Sequence, residues 1–131
     1  MKRLLFVCVQ NSCRSQMAEG FAKELGAEGI EAYSAGSEPS GIVNPRSVAA
    51  MKEVGIDISS HRSKSFDALP ETEWDAIVTM GCGDACPFLP AKRRLDWDLP
   101  DPSSLSQSEF DTVRDEIRVR VTELIEEMKH E

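Results

Sequence analysis

The sequence predicts an α/β fold: a single-domain, open, mostly parallel four-stranded sheet with helices on both faces, spanning residues 1–131. Two patterns predict it. Short apolar runs that end in glycine or small polar residues alternate with stretches of helical period, as in βαβ units. A length of 131 residues with 40% hydrophobic and 29% charged residues also suits one packed domain and is too short for two ordinary ones.

Lys2 to Val9 reads as a buried parallel strand. From Ser15, Met17, Phe21 and Leu25 fall on one helical face, and Gly26 is the expected stop. Ile30 to Ala35 is the second strand, closed by Gly36. Asn44-Pro45 reads as an N-cap followed by proline at the first helical position, opening a helix through Val48, Met51 and Val54 to Gly55. Residues 56–70 show no period beyond one helical turn. Ala76 to Met80 is a third buried strand, and a short fourth is expected near Arg94-Leu95. Phe110, Val113, Ile117, Val121, Leu124 and Met128 mark the last helix, behind a Ser106-x-x-Glu109 capping box. Ligands of such sheets bind beyond the carboxyl ends of strands, so chemistry is expected in the loops after Val9 and Met80.

A net charge of −8 argues against nucleic acid and anionic membrane as partners. The apolar run at Leu4–Val9 breaks at Gln10, too short for a signal peptide, and no segment approaches transmembrane length. The cytoplasm is the expected compartment and a monomer the expected state. There, four cysteines point to catalysis, redox work or metal rather than to structural disulfides.

Between the first strand and helix lies Cys8-Val9-Gln10-Asn11-Ser12-Cys13-Arg14-Ser15. A loop curling into a helix N-terminus aims backbone N–H groups inward and cradles a tetrahedral oxyanion, here through Val9 to Ser15. The planar fork of Arg14 grips two oxygens. A cysteine in that positive field is favoured as thiolate, the reactive form, and Ser15 is placed to hydrogen-bond its sulfur. The competing reading is a buried cysteine at a strand end beside a surface arginine. Cys13 has no evident base and reads as a packing residue.

Ser12-Cys13-Arg14-Ser15-Gln16-Met17-Ala18-Glu19-Gly20 resembles the signature of the low-molecular-weight tyrosine-phosphatase fold, and more closely that of the thioredoxin-coupled arsenate reductases built on it. The resemblance runs on through Tyr33-Ser34-Ala35-Gly36, Asn44-Pro45, Val54 to Ser59, Val78 to Cys82, and Asp101-Pro102. It implies that Cys8 attacks the oxyanion and that Asp101 protonates the leaving oxygen; read alone, Asp101-Pro102 is a turn initiator. It further implies that Cys82 attacks the Cys8 adduct, releasing arsenite, and that Cys86 resolves that disulfide for an external reductant, thioredoxin or else glutaredoxin or a small thiol. No bound cofactor and no metal are expected.

Extended residues four apart are separated by about 13 Å, whereas a disulfide needs Cα atoms within about 7 Å. The Cys82-Gly83-Asp84-Ala85-Cys86 segment must therefore turn when a bond forms. Structural thiols there, or a four-cysteine zinc site with Cys8 and Cys13, are the weaker alternatives; the spacing lacks an x2 pair and Arg14 adjoins a ligand. The Cys82–Cys86 interval is also shorter than in the best-known thioredoxin-coupled members, which leaves the reductant open.

Some members of the family hold potassium through an asparagine, a glutamate, a serine and an aspartate. Asn11, Glu19 and Ser34 match three; Lys64 stands at the fourth, where its ammonium either replaces the cation and pairs with Glu19 or is simply a solvated lysine. The phosphatase branch carries aromatics after its Asp-Pro, whereas Ser103-Ser104 follows here, Tyr33 is the sole tyrosine, and Trp97 reads as core or rim. His61 and His130 do not read as catalysts, and Lys92-Arg93-Arg94 reads as surface or as an anion-steering patch. The expected function is thiol-dependent reduction of arsenate. The alternatives are a phosphatase acting on phosphotyrosine or aryl phosphates, and a non-catalytic oxyanion-binding or redox-sensing module.

Overall fold

The computed structural model describes residues 1–26, 29–70, 72–81 and 89–130. Its centre is a four-stranded, wholly parallel sheet of β1 (Lys2–Cys8), β2 (Ile30–Gly36), β3 (Trp74–Thr79) and β4 (Ala91–Asp96), in the order β2-β1-β3-β4. The helices are α1 (Arg14–Gly26), α2 (Pro45–Glu53) and α3 (Gln107–Lys129). The order reverses beside β1, so the carboxyl ends of β1 and β3 flank the switch point where open parallel sheets bind ligands.

The pleat sorts β1 into two faces. Leu4, Phe6 and Cys8 join Ala76 and Val78 beneath all three helices, where Met17, Phe21, Met51, Phe110 and Ile117 are wholly buried. Leu5, Val7 and Ile77 face the other way, under Phe66 and Leu69 from the 3-10 turn Phe66–Ala68 and its C-cap, with Leu89 beside them. Trp97, read as core or rim, is core: its ring lies 5.9 Å from that of Phe6.

The caps are those the sequence predicts. The Asn44 side chain accepts from Arg46 N at 2.9 Å, with Pro45 following. The Ser106 side chain accepts from Glu109 N, and its hydroxyl donates to the Glu109 carboxylate. Helix α2 ends at Glu53, two residues short of Gly55, whose φ of 82° is the left-handed turn out of the helix. Helix α2 is bolted to α3: Arg114 Nη1 donates to Ala50 O and to Glu53, each at 3.0 Å.

Two strands differ from expectation. Strand β3 begins at Trp74, because Asp75 does not interrupt it: the Asp75 carboxylate accepts from Arg3 N at 2.8 Å and pairs with Lys92. Strand β4 runs over six residues, although its alternating half-buried and exposed pattern hides it in the sequence. It is an edge strand, where charge guards unpaired backbone groups. The Lys92-Arg93-Arg94 run lies on that edge, where Lys92 pairs with Asp75 and Arg93 with Glu127. Among the described residues, no helix is long and apolar enough to cross a membrane.

Candidate active site

The loop after β1 is held from outside by its carbonyls. Val9 O accepts from Glu38 N at 2.8 Å, Gln10 O from Ser40 N at 3.1 Å, Asn11 O from the Gln16 amide at 3.2 Å, Ser12 O from Asn44 N at 3.1 Å, and Cys13 O from Met17 N at 3.0 Å. A trans peptide points its N–H opposite its C=O. Drawing five successive carbonyls outward therefore turns the following amides, Gln10 to Arg14, inward at the N-terminus of α1. Two close approaches shape the loop. Asn11 has φ of 49°, and Gly36 lies so near that a Cβ there would sit 2.5 Å from Val9 O.

The amides face a cavity of about 410 Å³ lined by Cys8, Val9, Gln10, Ser12, Cys13, Arg14, Asn44, Gly81, Asp101 and Ser103. The first loop and Asp101, ninety residues apart in sequence, thus meet at one site. Asn11 and Ser15 do not line it; both are fully buried behind the loop. Cys82 and Cys86 lie outside the described residues. Their neighbour Gly81 takes φ of 82° and leaves room for Arg14, whose Nη1 would lie 2.5 Å from a Cβ at that position. Arg14 Nη1 donates to Leu99 O at 2.9 Å, and this anchors the guanidinium at the cavity wall.

Cys8 Sγ lies 2.8 Å from Ser15 Oγ, and Ser15 Oγ accepts from Asn11 Nδ2 at 2.8 Å. The Asn11 orientation is set by its other end, since Asn11 Oδ1 accepts from Lys64 N at 3.0 Å and from Gln16 Nε2 at 2.9 Å. Gln16 Nε2 also donates to Arg62 O, so Gln16 Oε1 must accept, and His61 Nδ1 at 3.0 Å carries the proton. The chain of donors runs one way, from His61 through Gln16 and Asn11 to Ser15, and leaves the Ser15 proton free for the Cys8 sulfur.

Sequence reasoning gave Gln16 no role of its own and read His61 as no catalyst; the structure places both in the hydrogen-bond network behind the loop. Only 8% of the His61 side chain is exposed, and its Nδ1 is 3.6 Å from Glu19 Oε2. Burial lowers its pKa, against the opposing pull of Glu19. A buried glutamine on the helix leaving the loop was the available signal.

The expected Glu19–Lys64 pair forms, at 3.5 Å, and Lys64 Nζ also lies 3.3 Å from Ser34 Oγ and 3.4 Å from Arg62 O. Lys23 lies 2.6 Å from the other Glu19 oxygen. Burial pushes the Glu19 carboxyl up, but Lys23, Lys64 and Ser34 outweigh it and hold the group below its ordinary value. An ammonium thus stands within reach of these oxygens. At the cavity itself, burial pushes the Cys13 thiol up, partly offset by Ser47, and the Asp101 charge adds to the rise. Cys13 is a core residue that also lines the cavity, in keeping with a packing role.

Comparison with known proteins places this geometry. An arsenate reductase of Staphylococcus aureus (strain N315) is 48% identical over 124 residues, covering 92% of this chain and 93% of that protein. A solved arsenate reductase in its phosphate-binding state superposes with a TM-score of 0.87 at 43% identity, covering 97% of this chain and 98% of that one. The thioredoxin-dependent arsenate reductase of Corynebacterium glutamicum superposes with a TM-score of 0.80 at 32% identity, over 98% of this chain and 62% of its own. The model of the low molecular weight phosphotyrosine protein phosphatase family matches residues 3–131, and the chain belongs to that family.

Proposed function

We propose that this chain reduces arsenate to arsenite through a relay of three of its own thiols. The observation that carries the reading is the Cys8–Ser15 hydrogen bond at 2.8 Å in a loop that lines, with Arg14 and Asp101, one cavity. The Ser15 proton stabilises the Cys8 thiolate, and the backbone amides of Gln10 to Arg14 with the Arg14 guanidinium bind arsenate. The thiolate displaces one arsenate oxygen, which leaves as water with a proton from Asp101.

Cys82 thiolate then attacks the Cys8 sulfur. The sulfur–arsenic bond breaks, its electron pair stays on arsenic, and arsenite leaves with a Cys8–Cys82 disulfide behind. Cys86 thiolate attacks Cys82 and frees Cys8. An external dithiol of the thioredoxin class reduces the Cys82–Cys86 bond, consistent with the thioredoxin dependence of the Corynebacterium relative. A reducing compartment such as the cytoplasm keeps these thiols available between turnovers.

The phosphatase reading shares the loop and Asp101 but needs a platform for a phenyl ring. Tyr33 packs instead on Trp74, ring centroids 5.4 Å apart, and Trp97 on Phe6. Among the described residues, no aromatic lines the cavity. This favours the bare oxyanion as substrate.

The test is arsenate-dependent NADPH oxidation with thioredoxin and its reductase. Turnover by the wild type and none by Cys8→Ser is expected. Turnover only with glutathione and glutaredoxin would overturn the reductant, and no turnover with any thiol system would overturn the reaction.

A further inference from the structure

We propose that Arg46 is a positioning residue for Asp101, setting the acid against the oxyanion loop from the first turn of α2. The inference rests on the reading of Asp101 as the proton donor.

Asp101 caps the 3-10 turn Pro102–Ser104, accepting from Ser103 N at 3.0 Å. That N–H belongs to the same peptide plate as Pro102 O, and a trans plate points the two in opposite directions. On the far side, Pro102 O accepts from Leu105 N at 3.0 Å and from Arg46 Nη1 at 3.5 Å. Arg46 Nη1 also donates to Ser103 O at 3.1 Å, so one guanidinium holds the peptides on both sides of the Ser103 Cα. A plate fixed on its carbonyl side presents its N–H to Asp101 in one direction only.

Arg46 is itself fixed. Its guanidinium carbon lies 4.6 Å from the centroid of the wholly buried Phe110 ring, a cation–π contact. Its backbone N–H is capped by Asn44, whose own N–H donates to Ser12 O in the oxyanion loop. Residues 44–46 therefore tie the loop that holds the substrate to the turn that holds the acid. Without the guanidinium, the turn keeps its internal bonds and the buried Pro102, but the exposed Asp101 and Ser103 lose their outer brace and the carboxylate can swing away from the cavity. Arg46 does not line the cavity, so oxyanion binding is left to the loop and Arg14.

The experiment is the single-turnover rate of arsenite formation by fully reduced Arg46→Met, Asp101→Asn and the double variant, with phosphate inhibition and thermal unfolding measured alongside. Methionine keeps apolar contact with Phe110 while removing the donors; Arg46→Lys, which retains one charged donor, is the fallback should it fold poorly. General acids contribute about 10²–10⁴-fold, so partial misplacement is expected to slow Arg46→Met by about tenfold. Phosphate inhibition is expected to be unchanged, Arg46→Lys to recover part of the rate, and the double variant to match Asp101→Asn. A wild-type rate in both Arg46 variants, or a double variant slowed by the full product of the singles, overturns the role of Arg46. A wild-type rate for Asp101→Asn overturns the acid itself, and the proposal with it.

Discussion

The Asn11 amide nitrogen sits 2.8 Å from the Ser15 hydroxyl oxygen, and this contact decides where the Ser15 proton points. With its oxygen accepting from Asn11, Ser15 has its own proton for the Cys8 sulfur at 2.8 Å. Hydrogen bonds to charged groups contribute about 1.5–3 kcal/mol, so releasing Ser15 is expected to slow adduct formation by roughly 10–100-fold. Asn11→Gly removes the amide while tolerating the φ of 49°. Its single-turnover rate of adduct formation is expected to fall by a factor within that range. Ser15→Ala is expected to do the same, and combining the two to add little. A wild-type rate of adduct formation in Asn11→Gly would show that Ser15 does not need orienting.

Gly81 leaves its space to Arg14. Alanine there combines the strain of a left-handed residue, about 1–2 kcal/mol, with a Cβ that displaces Arg14 Nη1. Gly81→Ala is expected to weaken phosphate and arsenate binding by about tenfold or more, through loss of the Arg14 fork. Isothermal titration with phosphate checks this; wild-type affinity would mean that Arg14 finds an equivalent position.

The Lys64 ammonium stands within reach of Glu19, Ser34 and the Arg62 carbonyl. Activity is therefore expected to be flat in a potassium titration at constant ionic strength. Strong potassium activation would show that the lysine yields its place. Lys64→Met is expected to lower stability by roughly 1–2 kcal/mol in urea unfolding, less than the ~3–5 kcal/mol for a wholly stranded buried charge, because Lys23 still faces Glu19.

Burial holds the His61 pKa below its ordinary 6.5. As pH falls below 6.5, the unfolded chain takes up a proton that the folded chain resists, so stability complete above that pH declines toward the folded value. The Glu19 carboxyl, held below its ordinary 4.5, adds a second decline as pH falls below that value. Urea midpoints measured from pH 7 to 4 are expected to drop once the pH passes below 6.5, and His61→Gln to flatten the part between 6.5 and 4.5. An equally steep decline in that variant would assign the acid sensitivity elsewhere.

Much of the site was legible because its chemistry is local. Cys8 to Ser15 is one uninterrupted segment between a strand and a helix, and the Asn44-Pro45 cap and the α3 face follow from short-range rules. What stayed hidden depends on distant partners. His61 carries no local signal of its contact with Gln16, 45 positions away, and Arg46 gained its place only through Pro102, Ser103 and Phe110. Strand β4 was shortened in the reading because an edge strand needs no apolar run. Its Arg93 and Lys92 find partners on α3 and β3 that no local pattern announces.

The measurement that tests the central claim most directly is disulfide mapping by peptide mass spectrometry after one turnover of the fully reduced protein with arsenate. The relay predicts a Cys82–Cys86 bond that is absent after mock treatment and absent in Cys8→Ser. If all four cysteines stay reduced without an added small thiol, the three-thiol relay is contradicted, and a reductase dependent on an external thiol, or a phosphatase, takes its place.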